Sequence, residues 1–275
     1  MSVKLKKMSE YEPWNRYIAD DLQPVKNRIF YAYRILIKTM AFVIFGTGSV
    51  FLGIVIFPLL RFFFHPVHRF RAAAHRVVSM NFKFFVGFLQ ITGVSVLETA
   101  DKKKFKNLHS SIIVANHPSL LDVVYLISLI PNADCIVNGA LSRGILAGVV
   151  RQIYILNHLG FGELKKGCMD ALRSGSNLII FPEGTRTPRH GENPYKKGAA
   201  RIALESGCRI VPVHIGGTDK YGLGKHDPFF SFNHTDKYVY KIEMKKEISP
   251  QRYVDFFPPV AAKKLTGEIY RMINY

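Results

Sequence analysis

Between residues 98 and 275 the chain alternates short apolar runs with longer amphipathic stretches. Ile112-Ile113-Val114 and Leu178-Ile179-Ile180 are compact and rich in β-branched residues, as strands buried on both faces of a parallel sheet are. The pattern predicts strands at 111–115, 134–138, 153–156, 177–181, 209–215 and 238–244. Helices are predicted at 118–130, where Pro131 ends the run, and around 140–151. Two more are expected at 162–174 and 197–206, stopped by Gly175 and Gly207, with an amphipathic closing helix at 260–273. Such alternation gives an α/β fold, a mostly parallel central sheet flanked by helices. Residues 216–236, rich in Gly, Asp, His and Phe, read as a lid or lipid-contacting flap. Asp101-Lys102-Lys103-Lys104 reads as a solvated turn before the first core strand.

The N-terminal part follows a different pattern. Residues 39–60 hold no charge, and as helix they would span about 33 Å against a hydrocarbon core of about 30 Å. Gly46, Gly48 and Gly53 would give this helix a small-residue packing face. A second apolar piece, 77–97, contains Asn81 and Lys83. A mid-membrane lysine costs about 2.5–3.5 kcal/mol, so this piece is expected at the interface. The chain therefore divides into a basic, aromatic segment (1–38), membrane-anchoring helices (39–97) and an α/β domain (98–275). Glu10, Glu12, Asp20 and Asp21 interrupt the apolar core that a signal peptide would need after Lys4, Lys6 and Lys7. Basic residues lie on both sides of the long apolar segment, Lys26, Arg28, Arg34 and Lys38 before it and Arg61, Arg69, Arg71 and Arg76 after it. That symmetry gives no orientation by the positive-inside rule, and suits a helix pair embedded in one leaflet or a single span. The expected location is the inner membrane, with the α/β domain on the cytoplasmic side.

A net charge of +18 with a hydrophobic share of 48% asks for an anionic neighbour. The arginines beside the apolar segment point to anionic membrane lipid, at about 1 kcal/mol per basic residue near the surface. Nothing matches a helix-turn-helix, a zinc finger or an RNA-binding aromatic signature, so nucleic acid is not expected as a partner. Cys135, Cys168 and Cys208 are odd in number and widely spaced, and no histidine set has ligand spacing, so neither a disulfide framework nor a metal is expected.

Polar chemistry begins where two of the apolar runs stop. The first gives Asn116-His117-Pro118-Ser119-Leu120-Leu121-Asp122, the second Phe181-Pro182-Glu183-Gly184-Thr185-Arg186. Residues just beyond strand ends face the crevice where open α/β sheets bind ligands. Asn116 would cap the following helix with Pro118 in its first turn, which leaves the His117 imidazole free to fold back onto Asp122. A carboxylate on one ring nitrogen fixes the tautomer and leaves the other nitrogen as a base. No serine or cysteine nucleophile signature lies nearby, so the base would act on a substrate hydroxyl. Arg186 offers a bidentate fork for phosphate, and Gly184 lets backbone N–H groups approach it.

Asn116-His117-(x)4-Asp122, Phe181 to Arg186, and Ile210-Val211-Pro212-Val213 resemble three of the four blocks of the glycerolipid acyltransferase family, in the family's order, over roughly residues 77–245. The resemblance implies an acyl transfer from acyl-CoA or acyl carrier protein, without a resident cofactor, to a lysophospholipid such as 1-acylglycerol-3-phosphate. It implies that His117 is the general base and Asp122 its orienting partner. Glu183, Gly184, Thr185 and Arg186, with Asn116, would hold the acceptor head group, and the strand with Pro212 would help shape the acyl-chain side. The family's usual arginine between the two main motifs is missing: Asn157 stands about where it would fall, which leaves open another lipid acceptor (a lyso-ornithine lipid, a glycolipid or an aryl-polyene-type lipid) and a non-catalytic lipid-binding membrane protein. Lys196 and Lys197 are the nearest cations that could replace it. The tetrahedral oxyanion is expected to find donors among backbone N–H groups near 118–120 or at Gly184.

Overall fold

The computed structural model describes residues 22–158, 160–188 and 193–275, so most of the N-terminal segment with Lys4, Lys6 and Lys7 lies outside it. Helix α1 (Arg28–Phe63) starts at Asn27, whose side chain accepts the Ile29 and Phe30 N–H groups, and contains a wider π turn at Leu52–Ile56. Helix α2 (Val67–Ile91) returns alongside it. The pairing is antiparallel: Tyr33 reaches Thr92, Phe45 meets Phe85, and Phe57 meets Phe70. The second apolar piece thus begins ten residues earlier than 77 and stops at Ile91. Its last residues instead enter the sheet as β1 (Ser95–Glu98).

The alternating part runs α3 (Lys102–Lys106), β2 (Ile112–Ala115), α4 (Asp122–Leu129), β3 (Ala133–Val137), α5 (Ala147–Ile153) and β4 (Ile155–Leu156). It continues with α6 (Gly160–Arg173), β5 (Asn177–Ile180), α7 (Gly198–Ser206), β6 (Ile210–Gly217), β7 (Tyr238–Met244) and α8 (Pro258–Asn274). Among the described residues these strands form one sheet of seven in the order β1-β7-β6-β2-β5-β3-β4. β2, β3, β4, β5 and β6 are mutually parallel, and only β6 with β7 is antiparallel. β2 sits in the middle with every residue buried, which is why its sequence is a plain apolar run.

Alternate residues of these strands feed two cores. Ile113, Ala115, Ile179, Val211, Val213 and Ile215 pack under α1, α2 and α4. Ile112, Val114, Leu178, Ile180 and Ile210 pack under α6, α7 and α8. The layer made by α1 and α2 is thus half of the domain's own core, with Val78, Phe85, Val86 and Leu89 fully covered.

Four local expectations change. The stretch 140–151 splits into a 3-10 turn (Gly139–Arg143) and α5, since Gly144 is extended and breaks the run. Residues 101–104 are mostly the start of the short helix α3, with Phe105 buried as its anchor. The helix expected from 118 begins only at Asp122, because Pro118 to Leu121 form a turn closed by the Asp122 side chain. Lys38, counted above among the flanking cations, is 5% exposed: its ammonium donates to the carbonyls of Gly222, Phe229 and Ser231 at 2.6–2.7 Å. The 216–236 segment is therefore strapped to α1 rather than free.

Candidate active site

β2 and β5 are neighbours and parallel, so their C-terminal ends deliver the two polar stretches side by side. His117 Nδ1 lies 2.8 Å from Asp122 Oδ2, and the imidazole stacks on Phe181 at 4.1 Å between ring centroids, tilted by 22°. The Asp122 carboxylate is fully buried, also accepts the Ser119 N–H at 2.7 Å and the Ser119 hydroxyl at 2.5 Å, and stands in the first turn of α4. The Ser119 amide and the first turn of α4 thus hold the carboxylate in one orientation. The hydrogen bond to a carboxylate assigns the proton to Nδ1, so Nε2 carries the free lone pair. The His117 side chain keeps 19% of its surface exposed.

The second loop braces the first. Glu183, buried, accepts the His117 N–H at 3.3 Å and the Thr187 hydroxyl at 2.5 Å, while the Thr187 N–H donates to the His117 carbonyl at 2.7 Å. Burial pushes the Glu183 carboxyl above the usual range, and the Thr187 and His117 donors oppose that shift. Arg186 Nη1 donates to the carbonyls of Leu223 and Gly224 at 3.0 and 2.7 Å, which pins the strap over the loop. Burial lowers the guanidinium pKa, against the pull of the Asp227 and Asp122 carboxylates. Gly184 has φ +71°, and a side chain there would sit 2.6 Å from Lys196 Nζ. Thr185 is half-buried in the same turn.

Other expected site residues stand elsewhere. Asn116 does not cap α4: its amide bonds both the N–H and the carbonyl of Ile215, at 2.7 and 2.9 Å, and so ties β2 to β6. Lys197 is exposed at the N-cap of α7, and it is Lys196 whose ammonium lies over Gly184. Asn157 is exposed and accepts the Gly139 N–H, bracing the turn after β3. The oxyanion donors expected from sequence are engaged: Ser119 N–H with Asp122, Leu120 N–H with the Leu223 carbonyl, and Gly184 N–H with the Phe181 carbonyl. Pro212 is paired with Val114 inside the sheet, and by alternation it points with His214 toward α8, away from the face where α1 and α2 lie.

Two hollows are lined by the chain neighbours of the dyad, though by neither His117 nor Asp122 itself. A polar one of about 350 Å³ is lined by Asn116, Pro118, Glu183, Thr187, Lys220 and Lys225, with Asp219 and Asp227 on its strap side. An apolar one of about 310 Å³ lies between α1, α2 and α4, lined among others by Phe42, Phe45, Phe85, Leu120, Leu121 and Leu223. Leu120 and Leu121 belong to the turn that joins His117 to Asp122, so the apolar hollow abuts the dyad. Sequence reading missed Lys38, Lys220 and Tyr240. The signal for Lys220 was a charged residue among glycines, and nothing marked the other two.

Residues 96–216 match the acyltransferase family. A chloroplastic 1-acyl-sn-glycerol-3-phosphate acyltransferase of Brassica napus is 31% identical over 130 residues, covering 44% of this chain and 38% of that protein. The Helicobacter pylori 1-acyl-sn-glycerol-3-phosphate acyltransferase is 31% identical over 139 residues, covering 46% and 55%. The human 1-acyl-sn-glycerol-3-phosphate acyltransferase beta is 27% identical over 143 residues, covering 48% of each. The matched part thus spans about half, or less, of these relatives' length. The crystal structure of the 1-acyl-sn-glycerophosphate acyltransferase PlsC from Thermotoga maritima shares the fold, with a TM-score of 0.61 and 20% identity over 86% of this chain and 95% of that one.

Proposed function

We propose, from the match of residues 96–216 to the acyltransferase family and from the 1-acyl-sn-glycerol-3-phosphate acyltransferases it resembles, that the chain is a glycerolipid acyltransferase that moves a fatty acyl group from a thioester donor to the free hydroxyl of a lysophospholipid, 1-acylglycerol-3-phosphate by first choice. The observation that carries this reading is the His117–Asp122 pair at 2.8 Å, placed between a polar and an apolar hollow. The head group lies on the polar side and the acyl chain on the apolar one. His117 Nε2 takes the proton of the acceptor hydroxyl as its oxygen attacks the thioester carbonyl, and Asp122 stabilises the imidazolium. The tetrahedral intermediate expels the thiol sulfur, which collects that proton from His117. No covalent acyl-enzyme and no metal enter the scheme. Among the described residues Arg186 Nε and Nη2 hold no hydrogen-bond partner, and with Lys196 they are the donors proposed for the acceptor's phosphate.

The membrane reading follows from which side of α1 is covered. Its most apolar window is only 22% buried, and Ile29, Ile54, Phe62 and Phe63 face outward with Phe84 of α2 and Phe230 of the strap. Yet the same helix is docked on the domain at Lys38 and at Gly53, where a side chain would stand 3.0 Å from the Gly148 backbone. A helix held along one side by protein and bare on the other suits embedding in one leaflet, with the active site at the cytoplasmic surface.

A second acceptor class has a specific observation in its favour. The polar hollow sets Glu183, Asp219 and Asp227 beside Lys220 and Lys225, and Asn157 stands in place of the family's arginine. That mixture suits a head group carrying a cation, as a lyso-ornithine lipid does. The test is the chain in phospholipid vesicles with palmitoyl-CoA or palmitoyl-acyl carrier protein and a panel of lyso-lipids, reading thiol release and acylated product together. Equal amounts of both with 1-acylglycerol-3-phosphate support the first reading. Turnover only with a zwitterionic acceptor selects the second, and no product with any acceptor refutes both.

A further inference from the structure

Asp122 has a second buried partner chain, on the oxygen that His117 does not use. Oδ1 accepts the Ser119 hydroxyl at 2.5 Å, and Ser119 Oγ lies 2.7 Å from the Tyr240 hydroxyl, 121 residues away on β7. All three residues are fully buried. The direction of the chain follows from hydrogen counting. A carboxylate that accepts from an imidazole N–H and an amide has only acceptors to offer, so the single Ser119 hydrogen goes to Asp122. Ser119 Oγ must then accept, and Tyr240 donates. Burial and the nearby Asp122 charge hold the Tyr240 hydroxyl protonated, far above the usual tyrosine range.

We propose that Ser119 and Tyr240 are positioning residues of the dyad, donating in series to Asp122 Oδ1 and so fixing both the orientation of the carboxylate and the basicity of His117. The proposal deepens the acyl-transfer reading and rests on it for its kinetic arm only. Charge-assisted donors draw negative charge from a carboxylate. Without them, more of that charge faces the imidazole through Oδ2, the imidazolium is held more tightly, and less free base is available at neutral pH. Other charged groups around the pair come from three elements and stay in place. Glu183, on the loop after β5, faces the His117 backbone, and Arg186 of the same loop acts on Asp122 as a cation. Lys220 of the strap acts on Asp122 as well, and Tyr125 of α4 stands beside it.

The Tyr240 ring is held independently of its hydroxyl. It stacks on Tyr125 at 4.0 Å, Tyr125 is hydrogen-bonded to Ser95 of β1, and Lys220 Nζ sits 4.7 Å from the Tyr240 ring centroid. Tyr240→Phe therefore removes one hydroxyl and keeps the packing. The experiment is a titration of the His117 imidazole by NMR in the full chain, isotope-labelled at histidine and held in lipid nanodiscs, with the signal assigned by its loss in His117→Ala. The pH profile of kcat/KM is read in parallel. Tyr240→Phe and Ser119→Ala should each raise the imidazole pKa by about 0.5–1 unit, a size ordinary for the loss of one hydrogen-bond donor. The acid limb of the profile should move with it, and kcat/KM below that limb should fall by up to about 3–10-fold. An imidazole pKa unchanged in a folded Tyr240→Phe variant overturns the proposal. Since the NMR arm needs no turnover, failure of the acyl-transfer reading is seen separately, as absent product from the wild-type chain.

Discussion

The loop after β2 turns its polar groups onto one another, whereas the loop after β5 turns its own onto neighbouring segments. In the first, the side chains of His117, Ser119 and Asp122 bond one another, and among the described residues their side-chain hydrogen bonds leave the loop only at Tyr240. In the second, Glu183 reaches back to His117, and Arg186 reaches the strap at Leu223 and Gly224. Both loops carry a carboxylate, yet only Asp122 stands at a helix N-terminus with three donors, while burial raises the Glu183 pKa. The comparison teaches that the first loop fixes one imidazole against a buried carboxylate, which is the arrangement the proposed proton transfer needs. The second holds that loop and the strap in register.

The sharpest way to break this division is to remove the base. His117→Ala should lower kcat by about 10³-fold or more, and Asp122→Asn by about 10²–10⁴-fold, with the His117 variant keeping its melting temperature. A His117→Ala chain that turns over normally would end the distinction. Arg186→Ala comes next, because it removes both the latch to the strap and the proposed acceptor contact. It should cut kcat/KM for the acceptor about 10–100-fold and make the strap more susceptible to proteolysis near Lys225, with the donor KM little changed. Arg186→Lys should not rescue, since one ammonium cannot reproduce a planar fork across two carbonyls and a phosphate. Unaltered strap protection in the alanine variant would show that the latch is incidental.

Glu183→Gln should cost less, about 10-fold in kcat, because an amide oxygen still accepts one of the two donors. A loss as large as that of Asp122→Asn would mean that the two carboxylates share the chemistry. The smallest effect concerns pH. Burial lowers the Lys220 pKa from 10.5 to about 8, against Asp122 and Asp219. A lysine with a folded pKa below its unfolded value destabilises the fold while charged, so the penalty is full below about pH 8 and fades as pH rises toward 10.5. Urea denaturation between pH 8 and 10 should show a gain in stability that Lys220→Met lacks, and equal slopes in both proteins would contradict this.

Much of the scaffold could be read from the chain. β2 and β5 were visible because a central parallel strand must be apolar on both faces, and Gly175 and Gly207 marked the stops after α6 and α7. His117 and Asp122 were paired by placing His117 in the strand-to-helix turn and Asp122 in the helix, and the imidazole does fold back onto the carboxylate. What stayed hidden depends on tertiary contact. Asn116 looked like a helix cap, yet the turn at Pro118 to Leu121 left its amide facing β6. Lys38 looked like an interfacial cation until three carbonyls from a loop some 190 residues away closed around it. Tyr240 read as one more strand aromatic, since the register that brings it under Ser119 exists only in the folded sheet. The donors for an oxyanion were misplaced for the same reason: turn amides that look free in sequence were taken by Asp122, Leu223 and Phe181.

The most direct measurement is a paired assay of wild-type chain and His117→Ala in vesicles, with palmitoyl-CoA as donor and 1-acylglycerol-3-phosphate as acceptor, following free thiol and diacyl product in the same tube. Thiol and product rising together in the wild type, dependent on acceptor and abolished by the substitution, is the predicted result. Product formed at an equal rate without the imidazole, or thiol released with no lipid acylated, would contradict the account.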